Sequence, residues 1–441
     1  MHLSWLHKFL VCFISCQADR LGELAGSEYD HVIVLPDVHG DAEFLLYSLW
    51  LGAKQTNWPL IPYQTLEDVL SGSGAMPEPL GIPSRTVLVQ LGDVANRGPG
   101  SKQCFAILFA IERLLGWQFV SLFGNHELMA FTGKDSRYVH EKEYLFFDSL
   151  ENRAHEFSAT GSLWNAISSK SVLAARLGGP HESSMDTLFV HAGFDQMWLT
   201  AANLSNDDVP SLNRKIREVM RDPEAADTLL SPKESPLWTR NFAEYSGDAT
   251  WCQRQLAPLL AEYKVARIMV GHSPLAGKRA ISRCNGELIL TDVMMSRWMH
   301  TGGQPVAILM RLVHTLAGPT LSSISAHYYS PNSREEETNL LWPLAVDMTG
   351  RPKSEEEPAA DTEELPVAKT ADAVGRPKST RNATVALTTL SLLPRVVCSV
   401  LNSSPLLQSV FRTRVILSHL QAAPKLLSCA IPDGDSESTH Q

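Results

Sequence analysis

Asp93 stands at the end of the apolar run Val87-Leu88-Val89-Gln90-Leu91-Gly92, and Arg97 follows four residues later. A run of that composition reads as a buried strand, and Gly92 lets the chain turn where it ends. Alone, such a carboxylate carries no message. Here Asp37-Val38-His39-Gly40-Asp41 follows a similar run at 31–35, and Gly124-Asn125-His126-Glu127 follows another at 119–123. Two further strand-like runs end in His191 and in Gly271-His272. A single histidine is more often structural than a ligand, but six candidate ligands all at strand ends point to a common site. His140, His155, His181, His314 and His327 lack that setting and read as surface or core.

Carboxylate, amide and imidazole donors in this mixture suit two divalent metal ions, Mn, Fe or Zn. Such a pair sits ~3.5–4 Å apart, which requires one carboxylate reaching both, and Asp93 is placed for that. Asp37 and His39 are expected to hold the first ion, because side chains two apart in an extended segment point the same way. Asn125, His191 and His272 are expected to hold the second. Phosphate esters resist hydrolysis because their anionic oxygens repel a nucleophile. Two cations neutralise those oxygens and generate a bridging hydroxide near neutral pH. His126, beside a ligand, is the expected general acid for the leaving oxygen. Arg97 is the expected phosphate clamp.

The elements that must position these residues alternate strand and helix, with ligands after each strand, which is the pattern of a layered α/β sheet. Residues 43–51 and 102–115 read as helices, and the Pro- and Gly-rich stretch 56–84 as a surface insertion. Between 128 and 186 the pattern is broken and helical, notably at 142–150 and 163–177, and is expected to form a cap beside the site. Residues 213–221 read as a helix. Ser235-Pro236-Leu237-Trp238-Thr239-Arg240 reads as a loop carrying an aromatic ring and a cation. The runs at 287–292 and 306–313 are expected to finish a second sheet.

Three segments follow: an N-terminal stretch at 1–20, a catalytic domain at 28–330, and a low-complexity tail at 331–441. In the tail, Glu335-Glu336-Glu337, Glu355-Glu356-Glu357 and a repeated Gly-Arg-Pro-Lys-Ser (from Gly350 and from Gly375) read as solvated chain. Residues 385–420 are more apolar and read as either a short helix or a docking segment.

Apolar content of 44% is ample for a core, while a formal charge of -10 argues against nucleic acid as a partner. The odd total of 7 cysteines has neither CxxC spacing nor scaffold density, so most read as ordinary thiols. Lys8 precedes the short run Phe9-Leu10-Val11-Cys12-Phe13-Ile14, which is far too short to span a bilayer. A secretory signal and an ordinary amphipathic start are the two readings of that run, so the compartment is either the secretory pathway or the cytoplasm. Asn203-Leu204-Ser205, Asn382-Ala383-Thr384 and Asn402-Ser403-Ser404 fit the glycosylation sequon without deciding between them.

Together, Asp37-Val38-His39-Gly40, Gly92-Asp93 with Arg97-Gly98, Gly124-Asn125-His126-Glu127, His191-Ala192-Gly193 and Gly271-His272 resemble the calcineurin-like metallophosphoesterases of the phosphoprotein phosphatase type. The likeness covers roughly residues 30–313. Ser235 to Arg240 and Thr291-Asp292-Val293-Met294-Met295-Ser296 resemble the Shewanella-like phosphatase branch. The resemblance implies a two-sheet β-sandwich flanked by helices and a two-metal protein phosphatase whose substrate is a phosphoprotein. Phosphoserine and phosphothreonine are favoured. Phosphotyrosine, nucleotide or pyrophosphate substrates are the enzymatic alternatives, and an inactive phosphoprotein-binding pseudophosphatase is the non-enzymatic one. It also implies that Asn96 occupies the place of an Asp that orients the catalytic His126. An amide cannot stabilise an imidazolium charge, so His126 is expected to be a weaker acid. Phe123 stands where an Arg precedes the motif in eukaryotic Ser/Thr phosphatases, which leaves Arg240, with Arg97 and Asn125, as the expected phosphate contacts.

Overall fold

The computed structural model describes residues 21–56, 85–115, 117–178, 183–205, 207–299 and 302–343. Strand β2 (His31–Leu35) is buried at all five positions because it lies inside a sheet, between an antiparallel neighbour and a parallel one. Interior parallel strands are covered on both faces, which is why β2 and β3 (Thr86–Gln90) read as continuous apolar runs. β4 (Gln118–Leu122) continues the parallel set, with Val32 opposite Val87 and Leu88 opposite Phe119.

Helix α1 (Ala42–Gln55) returns over this sheet, its first turn closed by the Asp41 side chain accepting from the Phe44 N–H at 3.2 Å. Helix α2 (Ser101–Leu115) links β3 to β4, and α3 (Asn125–Thr132) starts directly behind β4.

Among the described residues there are two sheets. One has seven strands in the order β13 (Glu335–Trp342), β12 (Gly318–Ser330), β11 (Val306–Thr315), β2, β3, β4 and β5 (Ser171–Val172). The other has six in the order β1 (Glu23–Ala25), β6 (Ala174–Gly178), β7 (Thr187–Val190), β8 (Arg267–Val270), β10 (Leu288–Leu290) and β9 (Ile281–Arg283). In the second, β7 (Thr187–Val190), β8 (Arg267–Val270) and β10 (Leu288–Leu290) are parallel, with Leu188 opposite Ile268 and Ile268 opposite Leu288. Residues of both sheets belong to one buried apolar cluster, the two-sheet α/β sandwich flanked by helices that the sequence implies. Among the described residues no helix is long and apolar enough to cross a membrane.

Four expectations need correction. The run beginning at Val306 is β11 (Val306–Thr315). It pairs antiparallel with β2 in the first sheet, Leu309 opposite Ile33, instead of finishing the second. The supposed helix at 163–177 ends at Lys170. Ser171–Val172 (β5) and Ala174–Gly178 (β6) are strands, because sheet pairing on both sides of β6 overrides a short apolar run that fits either period.

The ordered chain also extends past the edges drawn at 28 and 331. β1 (Glu23–Ala25) pairs with β6, and β13 (Glu335–Trp342) pairs antiparallel with β12 (Gly318–Ser330). The acidic run that read as solvated tail is the outer part of this edge strand. Lys54 holds Glu336 at 2.6 Å, Arg279 holds Glu337 at 2.6 Å, and Leu341 is buried beyond them. Finally, Cys252 and Cys284 are not free thiols but a disulfide, with Cα atoms 5.7 Å apart. Cys104 is a buried thiol. The segments 1–20, 57–84 and 344–441, with the readings made for them, lie outside the described residues.

Candidate metal centre

Six parallel strands end on one side of the molecule, and each delivers a candidate. Asp37 and His39 follow β2, Asp93 follows β3, Asn125 and His126 follow β4, His191 follows β7, His272 follows β8 and Asp292 follows β10. Ligands collect at the carboxyl ends of parallel strands because the chain must turn there. The turns are tight. His39, Asp93, Asn96, Arg97 and His272 all have left-handed backbone, with φ of 46°, 54°, 69°, 67° and 65°. Such conformations cost ~1–3 kcal/mol each and cluster at working sites. His39 is therefore not part of an extended segment, and the reason given for pairing it with Asp37 is wrong. Gly92 has φ 97°, and a Cβ there would stand 2.8 Å from His191 Nδ1. At Gly271 a Cβ would stand 2.4 Å from Asp37 Oδ1.

The carboxylate of Asp93 lies between two groups of imidazoles. Its Oδ2 is 3.8 Å from His39 Nε2 and 4.0 Å from His126 Nε2, while its Oδ1 is 3.4 Å from His191 Nε2. His39, Asp93 and His126 form one potential ligand group, and Asp93, His191 and His272 form another. Asn125 Oδ1 completes the second at 3.1 Å from His191 Nε2 and 3.0 Å from His272 Nδ1.

Tautomers follow from the outer partners. A carbonyl only accepts, so His191 donates from Nδ1 to the Leu91 oxygen at 2.7 Å and His272 donates from Nε2 to the Trp238 oxygen at 3.1 Å. His191 Nε2, His272 Nδ1, Asn125 Oδ1 and Asp93 Oδ1 therefore turn lone pairs toward one another with no proton between them. A cation held by these four atoms would satisfy that arrangement.

The charges agree. Burial pushes Asp93 up to about 8, and burial together with Asp292 and Asp93 pushes Asp37 well above the usual carboxylate range. Burial raises Asp292 as well, and among the described residues its Oδ2 has no hydrogen-bond partner. Burial lowers His39 to about 3 and His191 to about 4, so these imidazoles are neutral. Three crowded buried carboxyls beside neutral imidazoles are costly to ionise even with Arg97 and Arg240 nearby, and divalent cations would supply the positive charge that lets them ionise. Oxygen and nitrogen donors in this set fit Mn, Fe or Zn.

Asp37 itself accepts the His272 backbone N–H, at 3.1 Å to Oδ2. Arg97 is half-buried with its backbone N–H on the Tyr138 carbonyl at 2.8 Å, its guanidinium 4.6 Å above the Tyr138 ring and, among the described residues, no partner for its Nε. Arg240 is exposed, yet its charge acts on Asp93, Asp292, His191 and His272.

Four supporting residues escaped the sequence reading. Glu127 accepts four backbone N–H bonds, from Asp93, Val94, Ala95 and Gly124, at 2.8–2.9 Å. This clamps the left-handed turn that carries Asp93. Asp292 is the buried carboxylate just described, and the carbonyl of Trp238 orients His272. Arg153, on helix α4 (Leu150–Glu156), donates to Asn96 Oδ1 at 2.7 Å. Glu127 and Asp292 sat inside motifs already noted, but nothing local in sequence links Arg153 to Asn96.

The chain is 28% identical over 233 residues to an uncharacterized protein of Schizosaccharomyces pombe, covering 51% of this chain and 67% of that one. Among solved structures it is similar to a cold-active protein tyrosine phosphatase, with TM-score 0.50 and 18% identity over 72% of this chain and 80% of that one. A cold-active protein-tyrosine phosphatase of a psychrophilic Shewanella species gives TM-score 0.49 and 19% identity over 72% and 82%. At 18% identity the likeness to the first of these structures is one of fold alone. The sequence itself matches the calcineurin-like phosphoesterase family over residues 31–275, more than half of the chain and every residue of the two ligand groups. By that match the protein belongs to the calcineurin-like phosphoesterases.

Proposed function

We propose that this chain is a metal-dependent protein phosphatase that hydrolyses phosphomonoesters. The observation that carries the reading is the convergence of His191, His272 and Asn125 on Asp93, which at the same time faces the imidazoles of His39 and His126. Two divalent cations at these groups supply a nucleophile from water and neutralise phosphate oxygens. Asp93 serves both groups, Asn125, His191 and His272 hold one side, and Asp37, His39 and Asp292 hold the other. Arg97 binds the phosphate through its free guanidinium edge, with Arg240 as the second cation.

His126 faces the leaving oxygen, and Asn96 determines how good an acid it is. Arg153 can only donate, so Asn96 must turn Oδ1 toward it and Nδ2 toward His126 Nδ1, 3.2 Å away. An NH₂ group only donates, so Nδ1 of His126 accepts and the ring's single proton sits on Nε2. That geometry supports a second reading within the same class. Phosphotyrosine leaves as a phenol with pKa ~10 and needs less proton help than an aliphatic alcohol, whereas the sequence resemblance favours phosphoserine and phosphothreonine.

Metal analysis of the purified protein, followed by phosphoserine, phosphothreonine and phosphotyrosine peptides and a dinucleotide assayed side by side with Mn, tests both. Peptide turnover above dinucleotide turnover supports the proposal, and the reverse order removes it. If metal-loaded protein leaves every ester intact while Asn96→Asp hydrolyses them, the chain is a phosphoprotein-binding pseudophosphatase.

A further inference from the structure

Of the three glycosylation sequons, only Asn203-Leu204-Ser205 lies among the described residues, and the fold presents it in a particular way. Helix Gln196–Ala201 ends just before it. The chain then reverses, with Asn203 N–H donating to the Thr200 carbonyl at 3.1 Å and Leu204 N–H to the Leu199 carbonyl at 2.8 Å. Asn203 takes a left-handed backbone with φ 57°, a conformation asparagine tolerates better than other side chains. Leu204 is buried at 4% exposure and anchors the turn, while Asn203 is exposed and, among the described residues, its side-chain amide bonds to nothing. The glycan is added to the chain before folding is complete, so the native requirement is room for it. A turn with its middle residue buried and its asparagine outward meets that requirement.

A second observation is independent of the first. Cys252 opens a helical turn at Cys252–Leu256, and Cys284 sits in the turn between β9 (Ile281–Arg283) and β10, 32 residues later. Cys284, Asn285 and Gly286 are all left-handed, with φ of 50°, 57° and 88°. The disulfide therefore fastens a turn whose backbone is costly to hold. Structural disulfides of this kind form and persist in oxidising compartments. The sequence offers a route there in the apolar run Phe9 to Ile14 behind Lys8.

We infer that the protein folds in the secretory pathway and carries an N-linked glycan on Asn203, with Cys252 and Cys284 joined. The modification forms a bond from Asn203 Nδ2 to the reducing-end sugar of a lipid-pyrophosphate oligosaccharide donor, which leaves as its lipid diphosphate.

The test is expression of the full chain with its own N-terminus in a eukaryotic cell. It is followed by peptide-N-glycosidase digestion and mass mapping of the Asn203 peptide, because the other two sequons would shift a gel as well. Conversion of Asn203 to aspartate by the enzyme, its loss in Asn203→Gln, and a Cys252–Cys284 peptide pair seen without reduction are the expected results. An unmodified Asn203 peptide overturns the inference. So does a chain recovered from the cytosol with both cysteines open to alkylation before denaturant is removed. Ser205→Ala gives a second variant that abolishes the sequon while leaving Asn203 in its turn.

Discussion

Arg153 Nη2 lies 2.7 Å from Asn96 Oδ1, a contact between two buried side chains 57 residues apart that settles which way the amide beside His126 faces. The same guanidinium holds Asp135 Oδ2 at 2.8 Å and Glu143 Oε2 at 3.1 Å. One cation thus serves two carboxylates and an amide. Were residue 96 an aspartate, a third carboxylate would press on Arg153 in a buried setting.

Arg153→Met should therefore act at two levels. It leaves Asp135 and Glu143 buried without their cation, at a cost of about 3–5 kcal/mol, read by urea denaturation. It also frees the Asn96 amide to rotate. Arg153→Lys keeps the charge but not the fork, and should recover stability more fully than turnover. Equal recovery of both would make Arg153 a purely structural residue.

Metal and turnover should separate between Asp93 and His126. Asp93→Asn removes the carboxylate that faces both groups and should lose bound metal and activity together. His126→Asn should keep metal, measured by elemental analysis, and lose on the order of 10²–10⁴ in kcat. Chelation should lower Tm in the native protein, because a cation held at 100 times its Kd contributes ~2.7 kcal/mol. The same treatment should leave the Tm of Asp93→Asn unmoved.

Glu127→Gln offers one carbonyl oxygen where four backbone N–H groups now converge on two carboxylate oxygens, and turns an NH₂ toward the rest. An unsatisfied buried donor costs about 1–3 kcal/mol. Loosening a group that positions a ligand typically weakens metal binding about 10–100-fold. Calorimetric titration with Mn reads the second effect, and unchanged affinity would show that the Asp93 turn holds itself.

Acid should destabilise the protein partly through His327, which is far from the metal groups in the sequence and sits on β12 between Ser325 Oγ at 2.9 Å and Thr338 Oγ1 at 3.1 Å. Burial, with Arg311 adding to it, lowers His327 to about 4 from an ordinary value of 6.5. The unfolded chain thus binds a proton there that the folded chain refuses. Stability from this residue is complete above pH 6.5 and is lost as pH falls from 6.5 toward 4. Tm measured across that window should fall less steeply in His327→Gln than in the native chain.

The sequence alone displayed the candidate ligands, since each stands where an apolar run stops and parallel strands bring such residues together at that end. Asp37, His39, Asp93, Asn125, His191 and His272 were readable for that reason, as were β2, β3, β4, β7 and β8. The sheet to which β11 belongs was not readable, because an apolar strand fits either sheet and only its pairing with β2 decides. The edge strand β13 was hidden by acidic side chains whose partners, Lys54 and Arg279, come from distant segments. The disulfide and the Arg153–Asn96 contact were equally out of reach, because 32 and 57 intervening residues leave no local trace of proximity. Spacing along a chain fixes which side chains share a face of one element; only packing decides which elements bring their side chains within bonding distance.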